Sequence, residues 1–292
     1  MSKKSRFKAE LQNTAHRCGG ATLTVQGRSR TADRLAQILH QNGYPLQSIS
    51  EIKIKHIESY VRCRQQEIND IRTLHNDISH IRSILSEAGR HKIADHDRLK
   101  NERLCGGKAE RSPARTAPAK QTADRIISAA FEKDPGVGAG LQLQRELGLR
   151  SREAVQSYKS LKTWEKQLQR GETVRVVYGT KGGRPRDTRV TDRQRALAAV
   201  KQARSVAQSR EGKLIQKNSL KSAMRRFGRL AAKAGAKGVH SPHSFRYYYT
   251  QVRQEQYQRQ GYSRDVPRAL TSQDLGHGDD RGRWVSGVYN TD

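Results

Sequence analysis

Ile71, Leu74, Ile78, Ile81 and Leu85 recur at steps of three and four, one continuous apolar stripe that predicts a helix ending before Gly89. Weaker patterns precede it. Leu35, Ile38 and Leu39 share one face of a helix predicted from Thr31, with Gly43 as its stop and Pro45 forbidding continuation. Ser48 and Glu51 have capping-box spacing, and Ile52, Ile57, Tyr60 and Val61 supply the apolar positions of a further helix. These helices predict a small bundle over residues 26–105. Residues 1–25 are basic without sustained periodicity and are expected as a flexible arm.

The stretch 106–121, GGKAERSPARTAPAKQ, has no apolar period and reads as a linker. Helical pattern resumes over 122–131 and again over 151–168, where Ala154, Val155, Tyr158, Leu161 and Leu168 mark one side. The period then changes. TVRVVY (173–178) is β-branched and alternating, GTKGGRPR is turn-like, and 188–190 is extended again, which predicts a β-hairpin. Helices are predicted over 191–209 and 219–234 and from about Ser244, and beyond Ser263 the pattern breaks into short pieces. The expected fold is mainly α with a small β-hairpin: an N-terminal helical domain, then a mixed α+β domain over 122–292.

Composition narrows the function. Among 292 residues, 57 lysines and arginines face 28 acidic residues, a net charge of +29. An excess of that size points to a polyanionic partner, because neutralising phosphates releases condensed counterions. No run approaches the ~20 apolar residues of a transmembrane helix, and the lysine-rich start is not followed by an apolar stretch, so a membrane partner and a signal peptide are not expected. The three cysteines, Cys18, Cys63 and Cys105, lack metal-ligand spacing, and no GxxxxGK[ST] loop or carboxylate cluster suited to magnesium occurs. With aromatics at 5%, an RNA-stacking sheet is poorly supported.

Four segments carry candidate chemistry: Leu147-Gly148-Leu149-Arg150-Ser151-Arg152-Glu153, Gly179-Thr180-Lys181-Gly182-Gly183-Arg184, Ser241-Pro242-His243-Ser244-Phe245-Arg246-Tyr247, and Leu275-Gly276-His277 followed by Tyr289. In this order they resemble the catalytic boxes of the tyrosine recombinases, the family of lambda-type phage integrases. Leucine stands where the first box commonly has threonine, and Tyr247 where the third commonly has histidine. The resemblance covers residues 122–292. It implies that the N-terminal bundle is a SAM-like core-binding domain and that the protein is a site-specific DNA recombinase working through a 3′-phosphotyrosyl intermediate. It further implies Arg150, Lys181, His243, Arg246, His277 and the nucleophile Tyr289 as catalytic residues, no cofactor, and double-stranded DNA attachment sites as partner. A homotetramer on paired sites, an accessory directionality or DNA-bending protein, and a cytoplasmic, nucleoid-associated setting in bacteria belong to the same expectation.

The residue types suit that chemistry on their own account. A phosphodiester under attack gathers charge on its non-bridging oxygens, which two guanidiniums clamp without deprotonating. A tyrosine hydroxyl, with a pKa near ~10, needs cationic neighbours or a base. His243 is suited to take its proton or position the phosphate, His277 to donate to the phosphate, and Lys181 to protonate the departing 5′ hydroxyl. The phosphotyrosyl bond keeps the energy for rejoining, so neither ATP nor a divalent metal is demanded. Arg152 is the rival first arginine, and Tyr247, Tyr248 and Tyr249 are rival nucleophiles, although their place after Arg246 suits packed core. Only three residues follow Tyr289, too few for the terminal helix with which many relatives dock on a neighbour. A type IB topoisomerase-like nicking-closing enzyme and a catalytically silent DNA-binding protein are the alternatives.

Overall fold

In the computed structural model, residues 3–68, 70–108, 116–263 and 265–276 are described. The chain divides into two units, Met1–Arg111 and Ser112–Asp292, each with its own hydrophobic core.

The first unit contains α1 (Lys3–Arg17), α2 (Thr22–Gln41), α3 (Ile54–Glu67), α4 (Ile71–Glu87) and the short α5 (His91–Ala94) and α6 (Asn101–Leu104). The expected flexible arm is corrected here. Phe7, Leu11 and Ala15, four residues apart, are buried on one face of α1, which packs on α2. Buried Arg28 closes the end of α1 by donating to Ala15 O (3.1 Å) and Gly19 O (3.0 Å). Because an arginine fills that inward position, the apolar pattern of α2 shows only from Thr31, although the helix begins at Thr22.

The capping spacing at Ser48 yields only a 3₁₀ turn, Ile49–Glu51, with Ser48 Oγ accepting from Ser50 N at 3.2 Å. Helix α3 starts afresh at Ile54. On α4 the inward stripe carries one acid, Asp77, 5% exposed. It accepts from Thr31 Oγ1 (3.0 Å), Tyr60 OH (2.8 Å), Arg64 Nε (3.2 Å) and Arg34 Nη1 (3.3 Å), tying α2, α3 and α4 together.

The second unit comprises α7 (Lys120–Lys133), α8 (Pro135–Leu147), α9 (Ser151–Gln156), α10 (Leu161–Arg170), β1 (Thr173–Val176), β2 (Arg186–Arg189), α11 (Arg193–Gln208), α12 (Leu220–Lys233), α13 (Ser244–Arg259) and α14 (Asp265–Asp274). Helix α8 is the axis of this core. It packs on α7, α11, α12 and α13, and most of its residues are buried. Its glycines suit close approach: a Cβ on Gly138 would lie 2.4 Å from Phe131 Cγ, and one on Gly140 2.7 Å from Phe227 Cε2. Asp134 caps α8 through Gly136 N (2.9 Å) and is itself held by Arg226 Nη2 (2.8 Å) and Arg210 Nη1 (2.5 Å).

The single helix expected over 151–168 is broken by a 3₁₀ turn, Ser157–Lys159, between α9 and α10. Strands β1 and β2 form the expected antiparallel hairpin, with Thr173 opposite Arg189 and Val176 opposite Arg186. Val174, Val176, Arg186 and Thr188 face inward, and Trp164 Nε1 on α10 donates to Arg175 O at 2.8 Å. Where the sequence pattern breaks up beyond Ser263, the structure has α14. Its inward residues include Thr271, Ser272 and Asp274, so no apolar stripe announces it.

Among the described residues no helix is long and apolar enough to cross a membrane, and no group of His, Cys, Asp and Glu could hold a metal ion.

Candidate active site

Helix α8 ends at Gly148, whose φ of +58° is the left-handed conformation that favours glycine. The ring of Tyr249 also demands it, because a Cβ there would lie 2.6 Å from Tyr249 Cδ1. The reversal delivers Arg150 to the N-terminus of α9, where its backbone N–H donates to Glu153 Oε2 at 2.7 Å. The Arg150 guanidinium donates to Glu153 Oε1 at 2.9 Å and to Leu275 O at 3.4 Å, and its side chain is 22% exposed.

Arg246, in the first turn of α13, is fully buried. It donates to Leu275 O at 2.7 Å and to Gly148 O, and stands 3.9 Å from Glu153 Oε2. Arg150 and Arg246 therefore converge on one carbonyl, two residues before His277. A third guanidinium, that of Arg186 on β2, donates to Glu153 Oε2 (2.9 Å), Gly148 O (3.2 Å) and Asp274 O (2.5 Å), and also to Thr188 Oγ1. Burial alone would raise the Glu153 carboxyl, but Arg186, Arg246 and Arg150 outweigh it and hold it at about 2. Three guanidiniums and one carboxylate leave this cluster a formal charge of +2.

The turn after α14 is fixed from several sides. Asp274 O accepts from Thr188 Oγ1 at 2.9 Å, and the Asp274 carboxylate accepts from Arg189 N (3.3 Å), Arg253 Nε (3.3 Å) and Tyr257 OH (3.2 Å). Burial raises the Asp274 carboxyl, and these donors only partly offset it. Gly276, at φ +68°, lies so close to Arg186 that a Cβ would fall 2.5 Å from its Cδ.

Lys181 lies on the exposed hairpin turn, and no hydrogen bond or ion pair joins it to the cluster among the described residues. The root of that turn does reach the cluster: a Cβ on Gly179 would lie 2.6 Å from Arg152 O and 2.9 Å from Glu153 Cα. His243 occupies the N-cap of α13, half-buried, with its ring edge-on to Tyr247 at 5.2 Å. His277 and Tyr289 lie outside the described residues.

Of the rivals, Arg152 is exposed and takes no part in the cluster that holds Arg150. Tyr249 is fully buried and donates to Arg189 O, and burial pushes its hydroxyl well up, opposite to what a nucleophile needs. Sequence reasoning passed over Arg186 and Asp274. The available signal was strand alternation, since Arg186, Thr188 and Val190 share the inward face of a hairpin whose other inward residues are valines.

Two family models match the chain: Integrase over residues 107–252 and Phage integrase, N-terminal, over residues 2–94. Solved structures share the fold. The Tn1549 transposon integrase in complex with transposon right end DNA is 14% identical at a TM-score of 0.63, covering 100% of this chain and 96% of that one. A lambda integrase dimer bound to a COC′ core site is 16% identical at 0.58, covering 98% and 77%. A lambda integrase tetramer bound to a Holliday junction is 17% identical at 0.56, covering 97% and 78%. No curated protein matches. Both matching models are integrase models, and together they span most of the chain. The chain belongs to the phage integrase family of tyrosine recombinases, the site-specific DNA recombinases.

Proposed function

We propose that this recombinase cleaves and rejoins duplex DNA through Tyr289, with Arg150 and Arg246 clamping the scissile phosphate. The observation that carries this reading is the convergence of the two guanidiniums, from separate helix starts, on the Leu275 carbonyl just ahead of His277. Guanidiniums so held are preorganised for the charge that develops on the non-bridging oxygens. Lys181, on the hairpin turn, protonates the departing 5′ oxygen as the Tyr289 oxygen bonds to the 3′ phosphate. His243 accepts the phenolic proton or positions the phosphate, and His277 donates to a phosphate oxygen. Reversal of the same steps rejoins the strand, so the cycle requires neither ATP nor a divalent metal.

The partner is double-stranded DNA carrying recombination sites, bound by four protomers on two sites for strand exchange, with an accessory directionality or DNA-bending protein as a further partner. The setting is the bacterial cytoplasm, at the nucleoid. The test uses nicked duplexes tiled across the DNA flanking the gene for this chain, together with a randomised-core duplex pool, in EDTA. Denaturing gels should show a covalent protein–DNA adduct for wild type and none for Tyr289→Phe. Salt-sensitive binding to these duplexes without any wild-type adduct would overturn the reading.

A further inference from the structure

Arg186 is about as buried as Arg246, but it reaches Glu153 from the strand side and not from a helix start: it opens strand β2 opposite Val176, and Gly276 lies against its aliphatic stem. Apart from a bond to Thr188 on its own strand, its two Nη groups donate to Glu153 Oε2 at 2.9 Å, to Gly148 O at 3.2 Å two residues before Arg150, and to Asp274 O at 2.5 Å immediately before Leu275. Every one of these acceptors belongs to a segment that also holds Arg150 or Arg246.

Charge shows what this accomplishes. Glu153 is fully buried, and an unneutralised carboxylate there would draw on whatever cations are nearest. Arg150 at 2.9 Å and Arg246 at 3.9 Å are the other two. Without Arg186 the cluster would fall from +2 to +1, and the two remaining guanidiniums would be committed to Glu153.

We propose that Arg186 is a positioning residue: it neutralises Glu153 from the strand side, leaving the charge of Arg150 and Arg246 for the scissile phosphate. This rests on the proposed function and adds a residue that never touches DNA. Glu153 in turn accepts from both the backbone and the guanidinium of Arg150, an acceptor role that the amide oxygen of Glu153→Gln can keep without the charge.

The test is a double-mutant cycle on single-turnover cleavage of a nicked duplex that gives an adduct with wild type. Arg186→Gln keeps hydrogen-bond donors but removes the charge. It should slow cleavage about 10²-fold, the scale of losing one preorganised donor to the transition state, while the dissociation constant for the duplex stays within about threefold. Adding Glu153→Gln removes the carboxylate and returns the cluster to +2, and cleavage should recover about tenfold or more over Arg186→Gln. Arg186→Lys should likewise cleave faster than Arg186→Gln. Melting temperatures accompany each rate, because a purely structural staple would predict further loss in the double variant, with rate following stability. Recovery in the double variant without recovery of melting temperature supports the positioning role. A double variant no faster than Arg186→Gln, or Arg186→Gln cleaving like wild type, overturns it while leaving the recombinase reading intact. If Arg186→Gln fails to fold, the comparison of Arg186→Lys with and without Glu153→Gln decides: acceleration by Glu153→Gln supports charge neutralisation and absence of acceleration overturns it. A wild type that forms no adduct overturns both readings.

Discussion

A buried glutamate surrounded by arginines makes the enzyme's stability depend on acid in a defined direction. The Glu153 carboxyl is held at about 2, below the ordinary value near 4.5, so its ionised form favours the folded state. A depressed carboxyl contributes fully above the unfolded value and loses its contribution as pH falls towards the folded one. The shift corresponds to about 3 kcal/mol at neutral pH, of which about 1 kcal/mol remains at pH 3. Urea unfolding of wild type and Glu153→Gln should therefore show a stability gap that narrows from pH 7 to pH 3, and a gap that widens in acid would contradict the assignment. The arginines illustrate what a sequence reveals. Arg150 and Arg246 stand out because their neighbours, Gly148-Leu149 and Ser241-Pro242-His243, are distinctive. Arg186 is one basic residue in a chain with 57 lysines and arginines, and only its inward place on β2 separates it from the rest. For a guanidinium aimed at developing charge, Arg246→Lys should lower the cleavage rate about 10²- to 10³-fold in single-turnover assays, with duplex binding much less affected.

Helices announce themselves through apolar stripes, and those that escaped sequence reading lack one for identifiable reasons. Helix α4 repeats its apolar side at steps of three and four and was fully legible. Helix α8 has no polar side to contrast, and its first turns alternate glycine with small residues, a composition that resembles a loop. The same glycines make it brittle. Gly138→Ala would force a methyl group against the Phe131 ring, where the Cβ position lies 2.4 Å from Cγ, and overpacking of this kind costs about 1–3 kcal/mol. Calorimetry should show a lower melting temperature for the second unit, and an unchanged one would mean that Phe131 swings aside. In the first unit the vulnerable tie is Asp77, which links three helices through four donors. Asp77→Ala leaves Arg64, only 6% exposed, without its inner partner, and breaking such a buried pair costs about 3–5 kcal/mol. Urea unfolding should show that loss, against less than about 1 kcal/mol for breaking the half-exposed Lys8–Asp33 pair.

At the scale of the whole molecule, the sequence order of the boxes carried more information than any one of them, since the fold brings Arg150 to a carbonyl 125 residues away. What could not be read was how the intervening chain achieves this. The tie is made largely by polar groups, Thr188, Arg189, Arg253 and Tyr257 on Asp274, and polar ties leave no hydrophobic pattern. The global charge makes a separate prediction. A surplus of 29 positive charges lies on a protein whose proposed site handles one phosphate at a time, so most of that surplus is predicted to meet DNA phosphates outside the site. Each neutralised phosphate lowers the logarithm of the binding constant by about 0.9 per decade of salt. Neutralising about six or more phosphates therefore gives a slope of about −5 or steeper in a salt titration with a 30-base-pair duplex. Tyr289→Phe should retain this slope, because removing one hydroxyl alters no phosphate neutralisation. A slope shallower than about −2 would mean that the basic surplus is not spent on phosphates, and DNA binding would have to depend on base contacts instead.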